Sequence, residues 1–140
     1  MSADPAFDAT RIRDSFAAQS LMQTFGASLT RIAPGLVEIE APILPCARQQ
    51  HGYGHAGLTF ALGDTAAGYA ALSLMPPEAE VLSVELKINL LAPAIGERLV
   101  ATGRVVKPGR RLVVVSAEVE AIRDGSRKLI ALLQGTMIPA

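Results

Sequence analysis

His51-Gly-Tyr-Gly-His55-Ala-Gly-Leu-Thr-Phe-Ala-Leu-Gly-Asp64-Thr-Ala-Ala-Gly-Tyr-Ala-Ala71 is the stretch that decides the arrangement of the chain. Between Arg48 and Glu78 the sequence is rich in Gly, Ala and Leu, and Asp64 is its only Asp, Glu, Lys or Arg. Both histidines of the protein, His51 and His55, stand just upstream of that acid. The Ala and Leu content predicts one helix from about His55 or Ala56 to Leu74. Gly57, Gly63 and Gly68 oppose it by about 1 kcal/mol each relative to Ala. Such glycines are tolerable where strands pack closely onto the helix. Pro76-Pro77 stops it. A carboxylate in so apolar a helix is either solvent-facing or held for chemistry, because buried carboxylates are rare unless paired or used.

Outward from this helix the sequence reads as sheet. Downstream, Leu82, Val84, Leu86, Ile88 and Leu90 alternate with Ser83, Glu85, Lys87 and Asn89, the period of a half-buried strand over Val81 to Leu91. Further strands are expected at Arg98 to Lys107, Leu112 to Ile122 and Lys128 to Ile138. Pro108-Gly109 separates the first two of these, and the Asp124-Gly125 hairpin signal separates the last two. Upstream, Ala27 to Ile32 and Leu36 to Ala41 flank Pro34-Gly35, which suits a type II turn. Val37, Ile39 and Ala41 alternate with Glu38 and Glu40. Residues from about Asp8 to Gln23 lack Gly and Pro, and Ile12, Phe16, Leu21 and Met22 make them an amphipathic helix closed by Gly26. Pro42 to Tyr53 reads as a loop. The fold class is α+β, with helices segregated on one face of an antiparallel sheet.

The bulk numbers bound the function. At 140 residues, with 50% hydrophobic and 19% charged residues, the chain suits one folded domain spanning 1–140. Lys+Arg and Asp+Glu balance at 13 each, which gives no electrostatic case for nucleic acid or an anionic membrane as partner. The apolar content suggests that part of the surface is covered by another subunit. Cys46 is the only cysteine, so no intrachain disulfide forms and a reducing compartment is expected. The first residues, Met1 to Asp8, lack a basic region followed by an apolar run, and no signal peptide is expected. The apolar run around Asp64 is broken by Gly and Thr and makes a poor membrane span. A cytoplasmic protein is the expectation.

A set of motifs resembles the phenylacetic-acid-degradation (PaaI-like) family of hotdog thioesterases. The hallmark there is His-Gly-Gly at the start of the central helix, followed by an apolar run to an Asp. This chain has His55-Ala56-Gly57 and then Asp64-Thr-Ala-Ala-Gly-Tyr-Ala70. Phe25-Gly-Ala27 and Pro34-Gly-Leu-Val-Glu-Ile39 resemble the first hairpin of the family. Ser83-Val-Glu-Leu-Lys-Ile-Asn-Leu-Leu-Ala-Pro93 resembles the strand after the helix, and Gly103-Arg-Val-Val106 and Gly109-Arg-Arg-Leu-Val-Val-Val115 the next two. The likeness covers nearly all of the chain from Phe25. Its one departure is Ala56 in place of Gly, which keeps a backbone N–H and adds a methyl group that narrows the pocket.

The resemblance implies a fold, a reaction and a site. The fold is the hotdog arrangement, a long antiparallel sheet wrapped around a central helix. The reaction is hydrolysis of an acyl- or aryl-acyl-coenzyme A thioester, with no cofactor beyond the coenzyme A carried by the substrate. A helix start offers unpaired N–H groups and the positive end of the dipole, so the N–H groups near Ala56 and Gly57 suit the developing oxyanion, and the resemblance implies that role for the Ala56 N–H. Asp64 is implied as nucleophile or as the general base that directs water. Ser83 is implied to orient water and Gln49 to hydrogen-bond the carbonyl, while His55 positions the loop. Thr65 falls beside Asp64 and, with Gly57, among the expected substrate contacts. Lys107, Arg110 and Arg111 are candidates for the coenzyme A phosphates. Asp64 is implied to face the helix start of a second subunit, which makes the protein a homodimer or homotetramer with shared sites.

Other readings compete. His51 and His55 are four apart, but no Glu lies between them and no third ligand stands out, so no metal site is expected. Ser83 also reads as a passive polar residue on a solvent face, and Lys107 to Arg111 as solvated charges at a hairpin tip. Rival functions on the same scaffold are a non-catalytic acyl-coenzyme A-binding protein and a hotdog enoyl-CoA hydratase or dehydratase. The hydratase pattern of Asp followed four residues later by His is missing.

Overall fold

The computed structural model describes residues 7–140. The leader reading of the first residues lies largely outside them. Two short helices, α1 (Thr10–Ala17) and α2 (Ser20–Thr24), precede β1 (Ser28–Ala33) and β2 (Leu36–Pro42). The central helix α3 (Ala56–Leu72) follows, and then β3 (Val81–Leu90), β4 (Arg98–Lys107), β5 (Val113–Arg123) and β6 (Ser126–Pro139). The six strands form one antiparallel sheet in the order β1-β2-β4-β5-β6-β3. That sheet curls around α3, the hotdog arrangement expected from the sequence.

Alternation explains the core. Val37, Ile39 and Ala41 of β2 and Val113, Val115, Ala117, Val119 and Ala121 of β5 are buried against α3. Each fully buried Val, Leu or Ile contributes about 1.5–3 kcal/mol. Small residues let the layers close. A Cβ on Gly63 would lie 2.8 Å from Leu133 of β6. The closest approach comes from the sheet side, where a Cβ on Gly103 of β4 would lie 2.3 Å from the backbone of Ala66 and Ala67. Helix backbone and strand backbone therefore meet directly at Gly103.

The predicted turns are present. Gly35 has φ 72° in the first hairpin, and Asp124 and Gly125 have φ 49° and 80° in the last. Two elements differ from the expected pattern. The amphipathic run from Asp8 is two helices, because Gln19 is extended (ψ 104°) and its Nε2 donates to the Tyr69 hydroxyl at 2.7 Å. In an unbroken helix Leu21 would lie about 180° from Ile12. Leu21 is accordingly exposed, and the break turns Met22, which would lie about 80° round from Ile12 in an unbroken helix, fully inward beside it. The second difference is a β-bulge in β3, where the register shifts between Ser83 and Glu85. Leu86 and Ile88 still pack on the core, but upstream of the bulge it is Val81 that does so, while Leu82 and Val84 are more than half exposed. The extra residue moves Ser83 from the outer to the inner face.

The C-terminal end of α3 is held firmly. Arg11 of α1 donates to the carbonyls of Leu72, Met75 and Pro76 at 2.5, 2.8 and 2.7 Å, satisfying groups a helix end leaves unpaired. Ser73 Oγ takes the Gly35 N–H at 2.7 Å and so ties the helix to the first hairpin. The opposite flank is open. Strand β3 is a sheet edge, bonded only to β6. Beside it Phe60, Ala61, Asp64 and Thr65 of α3 are only partly covered, and Leu90 is 54% exposed. No helix among the described residues is long and apolar enough to cross a membrane.

Candidate active site

The start of α3 is built by the loop before it. Arg48 pins that loop by donating to the carbonyls of Gly52 and Ile43 at 2.7 and 2.6 Å. The Gly54 N–H donates to the Ala94 carbonyl and the His55 N–H to the Ala47 carbonyl, each at 2.9 Å. His55 thereby enters the helix in extended conformation, with φ −64° and ψ 144°. Its Nδ1 accepts the Gly57 N–H at 2.7 Å, so a neutral imidazole carries its proton on Nε2. The expectation of two free donors thus narrows to one. The Gly57 N–H is taken, and the Ala56 N–H has no partner among the described residues.

Ala56 opens onto a cavity of about 420 Å³, within the range of small-molecule sites. Gln49, Tyr53, His55 and Thr59 supply its polar groups, and Leu90 and Ile130 are among its apolar walls. The Gln49 Oε1 accepts the His51 N–H, which leaves the amide NH2 free to donate. The cavity therefore offers a carbonyl oxygen one backbone and one side-chain donor.

Asp64 stands elsewhere. It lies eight residues beyond Ala56, about 12 Å along the helix axis, and does not line that cavity. It is partly buried, and Ser83 Oγ donates to its Oδ1 at 2.6 Å. The bulge in β3 makes this contact, since Ser83 would otherwise share the outer face with Glu85. Thr65 is the next residue on the same open flank. Lys107, Arg110 and Arg111 are exposed at the β4–β5 connection. Arg110 borders a groove of about 660 Å³ with Leu74, Met75, Glu78 and Pro139, at the C-terminal end of α3. The candidate residues thus fall into three groups within one chain: Gln49, His55, Ala56 and Gly57 at the helix start, Asp64, Thr65 and Ser83 midway, and the basic hairpin at the far end.

Two contributors were not singled out from the sequence. Thr59 is 1% exposed and lines the cavity one turn beyond Ala56. It is the only polar side chain between Gly57 and Gly63, which was the available signal. Arg48 acts through loop carbonyls that no motif marks.

A sheet curled round a small-residue helix is the hotdog fold, and here the helix start carries an unspent N–H with one acid two turns on. The thioesterase superfamily profile matches residues 51–127, more than half of the chain, and the protein belongs to that superfamily. It is a thioester hydrolase. A thioesterase family protein from Silicibacter pomeroyi is 47% identical, superposes with a TM-score of 0.92, and is matched over 94% of this chain and 96% of its own. The 1,4-dihydroxy-2-naphthoyl-CoA hydrolase of Listeria monocytogenes is 24% identical over 84% of this chain and 93% of its own length. The PaaI protein of Escherichia coli, from the phenylacetic acid degradation operon, shares the fold with a TM-score of 0.83 at 20% identity, over 94% of this chain and 91% of its own.

Proposed function

We propose that the protein hydrolyses an acyl-coenzyme A thioester in a site that two subunits complete. The observation that carries this reading is the separation of the carbonyl-binding donors at Ala56 and Gln49 from Asp64 on the same helix, about 12 Å. One chain cannot bring both to one thioester carbon. The open flank of α3 and β3 exposes Asp64 where a second copy would pack, and in a two-fold pair the partner subunit's Asp64 meets this chain's helix start. A tetramer of two such pairs is the expected assembly by likeness to the family.

In this reading the thioester oxygen accepts from the Ala56 N–H and the Gln49 amide. These donors, fixed by the loop and the helix, stabilise the charge that develops on it. Ser83 occupies Oδ1 of Asp64 and leaves Oδ2 free. That oxygen either attacks the carbonyl carbon or takes a proton from the water that does. The tetrahedral intermediate collapses with cleavage of the C–S bond; in the general-base case the thiolate takes the proton held by Asp64, and in the nucleophile case water then hydrolyses the acyl–Asp64 anhydride to the free acid and supplies that proton. Lys107, Arg110 and Arg111 suit the phosphates of a coenzyme A whose thioester sits in the partner's helix-start cavity. The relative acting on 1,4-dihydroxy-2-naphthoyl-CoA and the apolar walls at Leu90 and Ile130 favour an aryl or other apolar acyl group.

Thiol release from a panel of aryl- and alkyl-acyl-coenzyme A substrates tests this. The wild-type chain releases thiol, and Asp64→Ala lowers kcat by about 10²–10⁴-fold. Undiminished release by Asp64→Ala removes Asp64 from the mechanism.

A further inference from the structure

We propose that Gly135 is a positioning residue for the hydrolase, acting at a distance through the β3 bulge that presents Ser83 to Asp64. The inference rests on the reading of Ser83 and Asp64 given above. Ser83 pairs with Met137 and Glu85 with Thr136, which are consecutive on β6, so Val84 is the extra residue. Leu86, the first residue after the bulge to pack inward, pairs with Gly135. In a regular ladder a backbone carbonyl lies in the plane of the sheet, and Cβ atoms stand off that plane. Here a Cβ on Gly135 would lie 2.1 Å from the Glu85 carbonyl oxygen, and 2.7 and 2.9 Å from Cγ and Cα of Leu86. The bulge has tipped the Glu85 carbonyl and the Leu86 backbone into the space a side chain at 135 would fill.

Two of these three neighbours are backbone atoms, so a methyl group there cannot be accommodated by a rotamer change. The strand must lift away from β6 or lose its bulge. In a ladder of unchanged length that buries Leu86, loss of the bulge returns Ser83 to the outer face, and its 2.6 Å bond to Asp64 is lost. Gly135 does not line the Ala56 cavity, and the three atoms nearest a Cβ there all belong to β3, so β3 is the strand that a side chain at 135 displaces first.

The test is a kinetic cycle on the full chain with wild type, Ser83→Ala, Gly135→Ala and the double variant. Gly135→Ala is expected to lower kcat roughly 10- to 100-fold with KM within about twofold, the size of effect a displaced catalytic group produces. The double variant should be no slower than Ser83→Ala alone. Wild-type kcat in Gly135→Ala overturns the proposal, as does a double variant slowed by the full Gly135→Ala factor beyond Ser83→Ala. Wild-type kcat in Ser83→Ala is a separate failure, that of the role given to Ser83 itself. Should Gly135→Ala not fold, deletion of Val84 carries the test. It leaves the pairings of Ser83 and Glu85 unchanged and returns the carbonyl to the sheet plane, so Gly135→Ala in that background should fold and melt within a few degrees of its parent. An undiminished penalty there overturns the proposal.

Discussion

The Nδ1 of His55 takes the Gly57 N–H at 2.7 Å, which makes the Ala56 N–H the first unspent donor of the central helix. The imidazole is therefore a cap with a consequence for chemistry. It removes one of two adjacent donors and fixes the direction of the other.

That arrangement allows a substitution that deletes one backbone hydrogen. Ala56 is the first helical residue, where proline is well tolerated. His55 before it has φ −64° and ψ 144°, the conformation a following proline requires. Ala56→Pro is expected to keep the helix and lower kcat by about 10²–10³-fold. Ala56→Gly, which keeps the N–H, should stay active. Circular dichroism and kcat measured together check this, and a fully active Ala56→Pro removes the N–H from the mechanism.

Gly103 is expected to be the most demanding small residue in the layer between sheet and helix. A Cβ there would lie 2.3 Å from the backbone of Ala66 and Ala67, and no rotamer relieves a clash with backbone. Gly103→Ala should destabilise the fold by about 3 kcal/mol or more. Gly68→Ala, whose Cβ would lie 3.9 Å from Met137 Cε, should be neutral or stabilising. Urea unfolding of both variants at one protein concentration distinguishes them.

Acid stability has a local marker at the β5–β6 hairpin. The backbone N–H of Asp124 donates to both carboxylate oxygens of Glu97, at 3.0 and 3.3 Å. That bond, followed by the residue's own N–H, holds the Glu97 carboxyl below its ordinary value. A carboxyl lowered on folding favours the folded state when ionised. The contribution is present above the ordinary glutamate value and fades as pH falls through the lowered one. Glu97→Gln keeps an acceptor but not the charge. The stability gap between wild type and Glu97→Gln should therefore narrow as pH falls below 4.5. A gap that widens on acidification contradicts this.

The sequence carried the strands and the central helix because burial on one face imposes a period. The Arg98–Lys107 strand and the positive-φ turns at Gly35 and Asp124-Gly125 stand where that period and the turn residues place them. What it did not carry are features set by residues distant in the chain. Period-two alternation assigns Ser83 to the outer face, and only the register against Met137 and Thr136 turns it inward. The break at Gln19 depends on Tyr69, fifty residues on. The site was legible as a set of residues but only in part as a geometry. The predicted helix already set Ala56 and Asp64 about two turns apart; what the order of residues does not show is that the Arg110 hairpin borders the far end of that helix.

These three stations, Ala56, Asp64 and the Arg110 hairpin, require that each site be shared between subunits, and complementation between two inactive chains reads out that sharing. Ala56→Pro and Asp64→Ala chains carrying different tags are co-expressed, and the mixed assembly is purified. Each parent variant is nearly inactive. In a two-fold pair the mixed dimer has one intact site, formed by Ala56 of one chain and the partner subunit's Asp64, so it should recover about half of the wild-type activity per dimer. A mixed dimer as inactive as its parents contradicts the account, because that is the result expected if each site is built within a single chain.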